Sequence, residues 1–128
     1  MLAHGGMVET AQYVLKDLQE RNILSEALSR FEGYTLLVTG HSLGAGAAAV
    51  LAFWLRRNYP DIICYAYSPP CIFNNTAAEA SKAFVTSVTL GEDLVGRLSI
   101  SALLRLKNRM RSTLVNCELP KYKVGNSI

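Results

Sequence analysis

Ser42 stands between two glycines at the end of an apolar run, in the sequence Gly40-His41-Ser42-Leu43-Gly44. G-x-S-x-G between a strand and a helix is the pattern of a nucleophile elbow, a sharp turn that exposes a serine hydroxyl. We expect a side chain at either flanking glycine to collide with the neighbouring strand or helix. The backbone N–H of Leu43 could then stabilise a developing oxyanion. The pattern predicts nucleophilic catalysis by Ser42, with an ordinary glycine-rich turn as the alternative.

A serine nucleophile needs a base and an orienting acid, which in this kind of turn follow it in the order Ser, Asp/Glu, His. His41 is adjacent to Ser42, but neighbouring side chains on a tight turn diverge, so we interpret His41 as structural. Glu92 and Asp93 follow a predicted strand, and loops at the carboxyl ends of parallel strands bind ligands. A carboxylate there could orient a histidine. The spacing alone leaves open which of the two does so, or whether both belong to a solvated turn.

The elements that must position these residues alternate between helix and strand. In chain order they are helix 6–20, a short helix that Ser25 could cap, strand 34–40, helix 43–59, strand 61–68, helix 75–83, strand 84–91, and a last helix that begins at Ser99 or Ser101. The first strand is apolar enough to be buried on both faces. The alternation predicts an α/β fold, with a mostly parallel sheet of about three strands flanked by helices.

Composition narrows the class of protein. The 128 residues are half hydrophobic, which predicts one domain with a packed core, and the net charge of +3 is too small to indicate nucleic acid as a partner. No apolar run approaches the roughly 18 residues that cross a bilayer, and the N-terminus lacks the pattern of a signal peptide. Three cysteines without a C-x-x-C pair predict reduced core thiols rather than a disulfide or zinc site. No cofactor is evident.

The last predicted helix has a stripe of apolar residues and several basic ones. Its basic character comes from Arg97, Arg105, Lys107, Arg109 and Arg111. Such a helix could face an anionic membrane surface, although an ordinary solvated face is the alternative. Any membrane association encoded here would be peripheral.

Four longer stretches resemble the class 3 lipase family of α/β-hydrolases, and within it the sn-1-specific diacylglycerol lipase-like branch. They read AHGGMVETAQYVL, YTLLVTGHSLGAGAAAVLAFWL, YPDIICYAYSPPC and FVTSVTLGEDLVGRLS. The resemblance implies Ser42 as nucleophile, Asp93 rather than Glu92 as catalytic acid, and Leu43 as an oxyanion N–H. It also implies hydrolysis of acylglycerol esters and a location inside the cell or at a membrane. Some relatives depend on calcium, so the resemblance allows calcium as a cofactor here.

The chain also departs from that family. Gly96 stands where a proline is common, and no histidine follows Asp93, since the two histidines are His4 and His41. His4 stands where the family has a histidine that is not the catalytic base. We therefore expect residues 1–128 to be a partial lipase domain that lacks the first strands and the histidine-bearing segment, and to be inactive alone. The alternative is a degenerate, non-catalytic module for lipid binding or interaction.

Overall fold

The computed structural model describes residues 3–117, apart from the side chain of Ile100. The backbone divides into two compact units, Met1–Arg97 and Leu98–Ile128. The first contains α1 (Gly5–Glu20), α2 (Ile23–Arg30), β1 (Leu37–His41), α3 (Leu43–Leu55), β2 (Ile63–Tyr67), α4 (Asn75–Ser81), β3 (Val85–Val88) and a 3₁₀ turn (Val95–Arg97). The second contains α5 (Ile100–Val115). The predicted alternation of helices and strands is confirmed.

The three strands form one parallel sheet in the order β1-β2-β3. Their last residues lie level with one another, because His41 pairs with Tyr67 and Tyr67 pairs with Val88. The three loops that follow the strands therefore start from the same edge of the sheet. One of these loops is the turn at Ser42, and another leads to Asp93.

Helix α3 forms the centre of the core. Its residues from Ala45 to Ala52 are all buried, and it packs on β1 and β2 from one side of the sheet. Helix α1 packs on α3 through Met7 and Ala11. The approach is close: a Cβ at Gly46 would run into the Met7 sulfur and lie 3.2 Å from Cγ2 of Ile72. The small residues of α3 thus allow α1 and α3 to approach each other closely.

Two local expectations are wrong. Strand β1 is not buried on both faces. Its residues alternate between half-buried and exposed positions, because α3 packs on only one face of the strand. Ser25 does not cap α2, which instead follows Asn22 in a left-handed conformation, and the Ser25 hydroxyl donates to the Asn22 carbonyl. The Asn22 carbonyl lies three residues earlier, within reach of the Ser25 hydroxyl. The hydroxyl therefore donates to this carbonyl instead of accepting a hydrogen bond from an N–H of the helix.

Helix α5 is capped by Ser99, whose hydroxyl accepts a hydrogen bond of 3.1 Å from the N–H of Ala102. This resolves the choice between Ser99 and Ser101. Arg97 belongs to the 3₁₀ turn before α5, so the helix itself carries four of the five basic residues grouped with it. None of the helices within residues 3–117 combines the length and apolarity that crossing a bilayer requires.

Two leucines of α3 provide a matched test of this core. Leu51 is 7% exposed and Leu43 is 63% exposed. We expect Leu51→Ala to lower the free energy of unfolding by about 3 kcal/mol, since it removes buried methyl groups and leaves a cavity, and Leu43→Ala to lower it by less than about 1 kcal/mol. Urea unfolding followed by circular dichroism measures both. Equal losses would contradict the placement of α3.

Candidate active site

Ser42 is the single residue between the end of β1 and the start of α3. Its backbone has φ 54° and ψ −120°, a strained conformation for a residue other than glycine. Hydrogen bonds hold it in place: its N–H donates to the Tyr67 carbonyl at 2.9 Å, and its carbonyl accepts from the N–H of Ala45 at 3.0 Å. The chain therefore reverses direction within one residue, which is the geometry of a nucleophile elbow.

The two glycines around Ser42 have different reasons to be small. A Cβ at Gly40 would run into the carbonyl oxygen of Gly44 and lie 2.8 Å from the N–H nitrogen of Ala45. The expectation of a collision is confirmed at Gly40. It is wrong at Gly44, where no described atom beyond its chain neighbours and the nearby backbone of α3 lies within 4 Å of a built Cβ. Gly44 is exposed in the first turn of α3, and the described residues leave its solvent side open.

Leu43 is the first residue of α3, directly after Ser42. The first N–H groups of a helix have no carbonyl one turn earlier in that helix to bind, so the N–H of Leu43 is a donor without an intrahelical partner. It also lies at the positive end of the helix dipole. The Leu43 side chain is exposed and takes no part in the α3 core.

Asp93 is half-buried in the loop after β3. The N–H of Val95 donates to its Oδ1 at 2.9 Å. The Ser68 hydrogen bond, then the Val95 N–H, and less strongly the charge of His41, lower the pKa of Asp93. Glu92, its neighbour, is exposed and makes no hydrogen bond or ion pair with any described residue.

The two histidines lie in different places. His41 is the last residue of β1, where its charge acts on Asp93, a relation that adjacency to Ser42 did not suggest. His4 precedes α1, and its N–H donates to the Ile72 carbonyl at 3.1 Å. Within residues 3–117, neither histidine hydrogen-bonds the Ser42 hydroxyl. The structure thus gives no base to the serine from the histidines it describes.

Ser68 is a contact of the site that sequence reasoning missed. It follows β2 directly, with φ 49°, and it begins the Ser68-Pro69-Pro70-Cys71 turn. The signal was present, because this turn is part of the YSPPC stretch that carries the family resemblance. Only the structure shows that Ser68 lowers the pKa of Asp93.

The cysteines divide between core and surface. Cys64 is fully buried in β2, and burial raises its pKa to about 11, so it is a core thiol as predicted. Cys71 is exposed, contrary to that prediction, and its Sγ donates to the Gly96 carbonyl at 2.8 Å. No disulfide joins Cys64 to Cys71. The part of the chain from 3 to 117 contains no cluster of histidine, cysteine and carboxylate residues suited to holding a metal ion.

Comparison with known proteins decides the family. The sequence model described as Lipase (class 3) matches residues 1–102, most of the chain. The protein belongs to the class 3 lipase family. Diacylglycerol lipase-alpha of Homo sapiens is 44% identical to this lipase chain over 129 aligned residues, and diacylglycerol lipase-beta of Mus musculus is 44% identical over 124. Each alignment covers 96% of this chain, but 12% and 18% of the respective relative. The resemblance to the diacylglycerol lipase-like branch is confirmed.

Solved lipase structures share the fold. The crystal structure of a mutant of MDLA from Penicillium cyclopium superposes with a TM-score of 0.68 and 30% identity, covering 79% of this chain and 38% of that one. A lipase from Rhizopus microsporus var. chinensis superposes with a TM-score of 0.67 and 23% identity, covering 79% and 37%. The predicted α/β-hydrolase fold is confirmed for the sheet and helices of this class 3 lipase chain.

The lipase elbow yields a matched pair of glycine substitutions. We expect Gly40→Ala to cost about 2–3 kcal/mol of unfolding free energy, because its Cβ meets backbone atoms that cannot move aside. Gly44→Ala should instead gain about 0.5 kcal/mol, because alanine restricts the unfolded chain and favours helix. Chemical denaturation of the two variants measures this difference. A large loss for Gly44→Ala would show that the space beside it is not open.

Proposed function

We propose that this class 3 lipase chain carries the nucleophile and the orienting acid of a serine hydrolase that cleaves acylglycerol esters of the diacylglycerol or triacylglycerol type. The observation that carries the proposal is the strained turn at Ser42, with φ 54° between β1 and α3. A fold gains nothing in stability from this conformation, which is typical of serine nucleophiles. The choice of substrate rests on the relatives, which are diacylglycerol lipases.

In this mechanism the Ser42 hydroxyl oxygen attacks the ester carbonyl carbon while a base removes its proton. The carbonyl oxygen becomes an oxyanion, which the N–H of Leu43 helps to stabilise. Collapse of this tetrahedral intermediate expels the glyceride alcohol, which takes the proton from the base. A water molecule, activated by the same base, then attacks the acyl-enzyme, and the fatty acid leaves as Ser42 recovers its proton.

Asp93 is the acid in this proposal. Ser68 and Val95 lower its pKa and so favour its ionised form, and the hydrogen bond from the N–H of Val95 fixes the direction of the carboxylate. An ionised, oriented carboxylate can hold a histidine in the correct tautomer and stabilise its cation. Exposed Glu92 has no such fixed geometry. The base is a histidine supplied from outside residues 1–128, because neither His4 nor His41 contacts Ser42 through a hydrogen bond.

The proposal predicts a specific pattern of activity. The 128-residue chain should hydrolyse a short-chain p-nitrophenyl ester little or not at all, because the serine has no base. In a longer chain that supplies the histidine, Ser42→Ala should lower kcat by about 10⁴-fold or more, and Asp93→Asn by a comparable factor. Glu92→Gln is the matched control and should leave kcat within about twofold.

Two outcomes would contradict this assignment. Turnover by the 128-residue chain that Ser42→Ala abolishes would mean that a base exists among these residues. Equal losses for Glu92→Gln and Asp93→Asn would mean that the acid is not Asp93 alone. The coding sequence beyond Ile128 separates the enzyme from a non-catalytic lipid-binding module: a downstream histidine supports the enzyme, and a stop codon without an alternative exon supports the module.

We further propose that α5 binds the surface of an anionic membrane, which would bring the lipase to its substrate. Four apolar side chains at helical spacing lie half-exposed along it: Leu103, Leu106, Met110 and Leu114. Residues 94–117 contain five arginines and lysines and no aspartate or glutamate. At about 100° per residue, Arg109 and Arg111 flank the apolar stripe on opposite sides. An exposed apolar stripe between cations is suited to the boundary between lipid headgroups and acyl chains.

Two leucines of α5 make a matched pair for this surface. Leu106 lies on the stripe and Leu104 lies off it, and they are 55% and 52% exposed. We expect Leu106→Gln to weaken sedimentation with phosphatidylcholine–phosphatidylserine vesicles about tenfold, because it removes apolar contact with lipid, and Leu104→Gln to change it less than about twofold. Arg109→Gln should weaken binding about fivefold, and Arg57→Gln, on the other unit, much less. Equal binding to vesicles of pure phosphatidylcholine would contradict the electrostatic part.

A further inference from the structure

The turn that follows β2, residues 68–71, starts from a point that is bound to both neighbouring strands. The carbonyl of Tyr67 accepts the N–H of Ser42 at 2.9 Å. The N–H of Ser68 belongs to the same peptide group and donates to the Val88 carbonyl at 2.8 Å. Because a peptide group is planar and rigid, these two hydrogen bonds fix the start of the turn 68–71 relative to the Ser42 turn.

The sequence of the turn 68–71 makes its backbone stiff. Ser68 leaves the strand sharply, with φ 49°, and the next two residues are prolines, whose rings restrict φ to about −65°. Cys71 ends the turn, and its side chain is exposed. The position of this thiol is therefore set by the backbone of the turn rather than by packing in the core.

Two contacts join the turn 68–71 to the loop that carries Asp93. The Cys71 Sγ donates a hydrogen bond to the Gly96 carbonyl at 2.8 Å. A Cβ built on Gly96 would lie 3.5 Å from the Pro69 carbonyl oxygen, so the two backbones come within van der Waals distance of each other. The loop thus rests against a stiff turn and is also hydrogen-bonded to it.

Gly96 lies in the 3₁₀ turn that holds the Asp93 carboxylate. Its chain neighbour Val95 donates from the N–H to Asp93 Oδ1 at 2.9 Å. Glycine loses more conformational freedom on folding than any other residue, so a loop with glycine at this point gains little order from its own sequence. A displacement of Gly96 would also displace the Val95 N–H. A contact that holds the Gly96 carbonyl therefore acts on the carboxylate through one intervening residue.

We propose that Cys71 is a positioning residue, whose hydrogen bond to Gly96 holds the Asp93 loop on the turn 68–71 and so at a fixed place relative to Ser42. The connection runs from Ser42 through the peptide group after Tyr67, along the turn to Cys71, and across to the loop. The catalytic value of this role rests on the proposed function, in which Asp93 is the acid. The contact itself can be tested without catalysis.

The test measures how fast the Val95 amide hydrogen exchanges with water, by NMR of the ¹⁵N-labelled 128-residue chain. We expect Cys71→Ala to speed this exchange about three- to fivefold, because the loop loses a hydrogen bond and the Val95 N–H leaves Asp93 Oδ1 more often. A thiol is a weak donor, so the change should stay below the effect of a strong hydrogen bond. Cys71→Ser keeps a donor at this position and should leave the rate within about twofold of the parent.

The Ala77 amide is a control within the same chain. It also donates to a side-chain oxygen, that of Asn74 at 3.2 Å, but it lies at the start of α4. Its exchange should be the same in the parent chain and in both Cys71 variants. Equal acceleration of the Ala77 and Val95 amides would mean a general loosening and would overturn the proposal. An unchanged Val95 rate in Cys71→Ala, or the same increase in Cys71→Ser as in Cys71→Ala, would also overturn it.

In a longer, catalytic chain, Cys71→Ala should lower kcat about threefold with little change in KM, and Cys71→Ser should restore kcat. The two proposals can fail separately. If Asp93→Asn leaves turnover unchanged while Cys71→Ala still speeds exchange at Val95, the contact positions the loop but Asp93 is not the acid. If Asp93→Asn abolishes turnover but Cys71→Ala changes neither the Val95 exchange nor kcat, the proposed function stands and Cys71 has no positioning role.

Discussion

The rest of the structure depends on the single residue between β1 and α3. A strand and a helix that join through one residue must lie against each other, so the backbone at Ser42 is strained and the chain around Gly40 leaves no room for a Cβ. The same reversal places the N–H of Leu43 at an unpaired helix start beside the serine. It also sends α3 back across the sheet, where its small residues form the core. The geometry of the Ser42 turn and the packing of α3 follow from one constraint.

The parallel register carries that constraint to the other loops. Strand ends that lie level bring Ser42, Ser68 and the Asp93 loop to one edge of the sheet, although up to 51 residues separate them along the chain. The Tyr67–Ser68 peptide group, at the end of β2, then links the end of β1 to the end of β3 by hydrogen bonds to both. A central strand that is hydrogen-bonded on both sides is well suited to this, because it cannot move without breaking bonds to both neighbours.

Electrostatics distinguishes the two adjacent carboxylates. Hydrogen bonding with Ser68 and Val95 and the electrostatic influence of His41 lower the pKa of Asp93, and together they outweigh the effect of partial burial. Glu92, one residue earlier, faces solvent. A residue that orients a histidine must stay ionised and keep its direction, and only the environment of Asp93 provides both. The environment of Asp93 is a physical reason to prefer Asp93 to Glu92 as the proposed acid, and the family resemblance implies the same preference.

The sequence by itself determined the order of elements, the parallel sheet and the strained turn at Ser42, because these depend on short-range features: apolar periodicity, the G-x-S-x-G spacing and a run of small residues. It also narrowed the candidates for the proposed catalytic acid to Glu92 and Asp93. Only the tertiary structure decided that Gly40 is sterically required and Gly44 is not, that β1 has one exposed and one half-buried face, and that Ser68 lowers the pKa of Asp93. Each of these depends on which atoms lie opposite one another across strands and loops, and local residue patterns do not encode such pairings. Contacts across the sheet are therefore what only the folded chain shows.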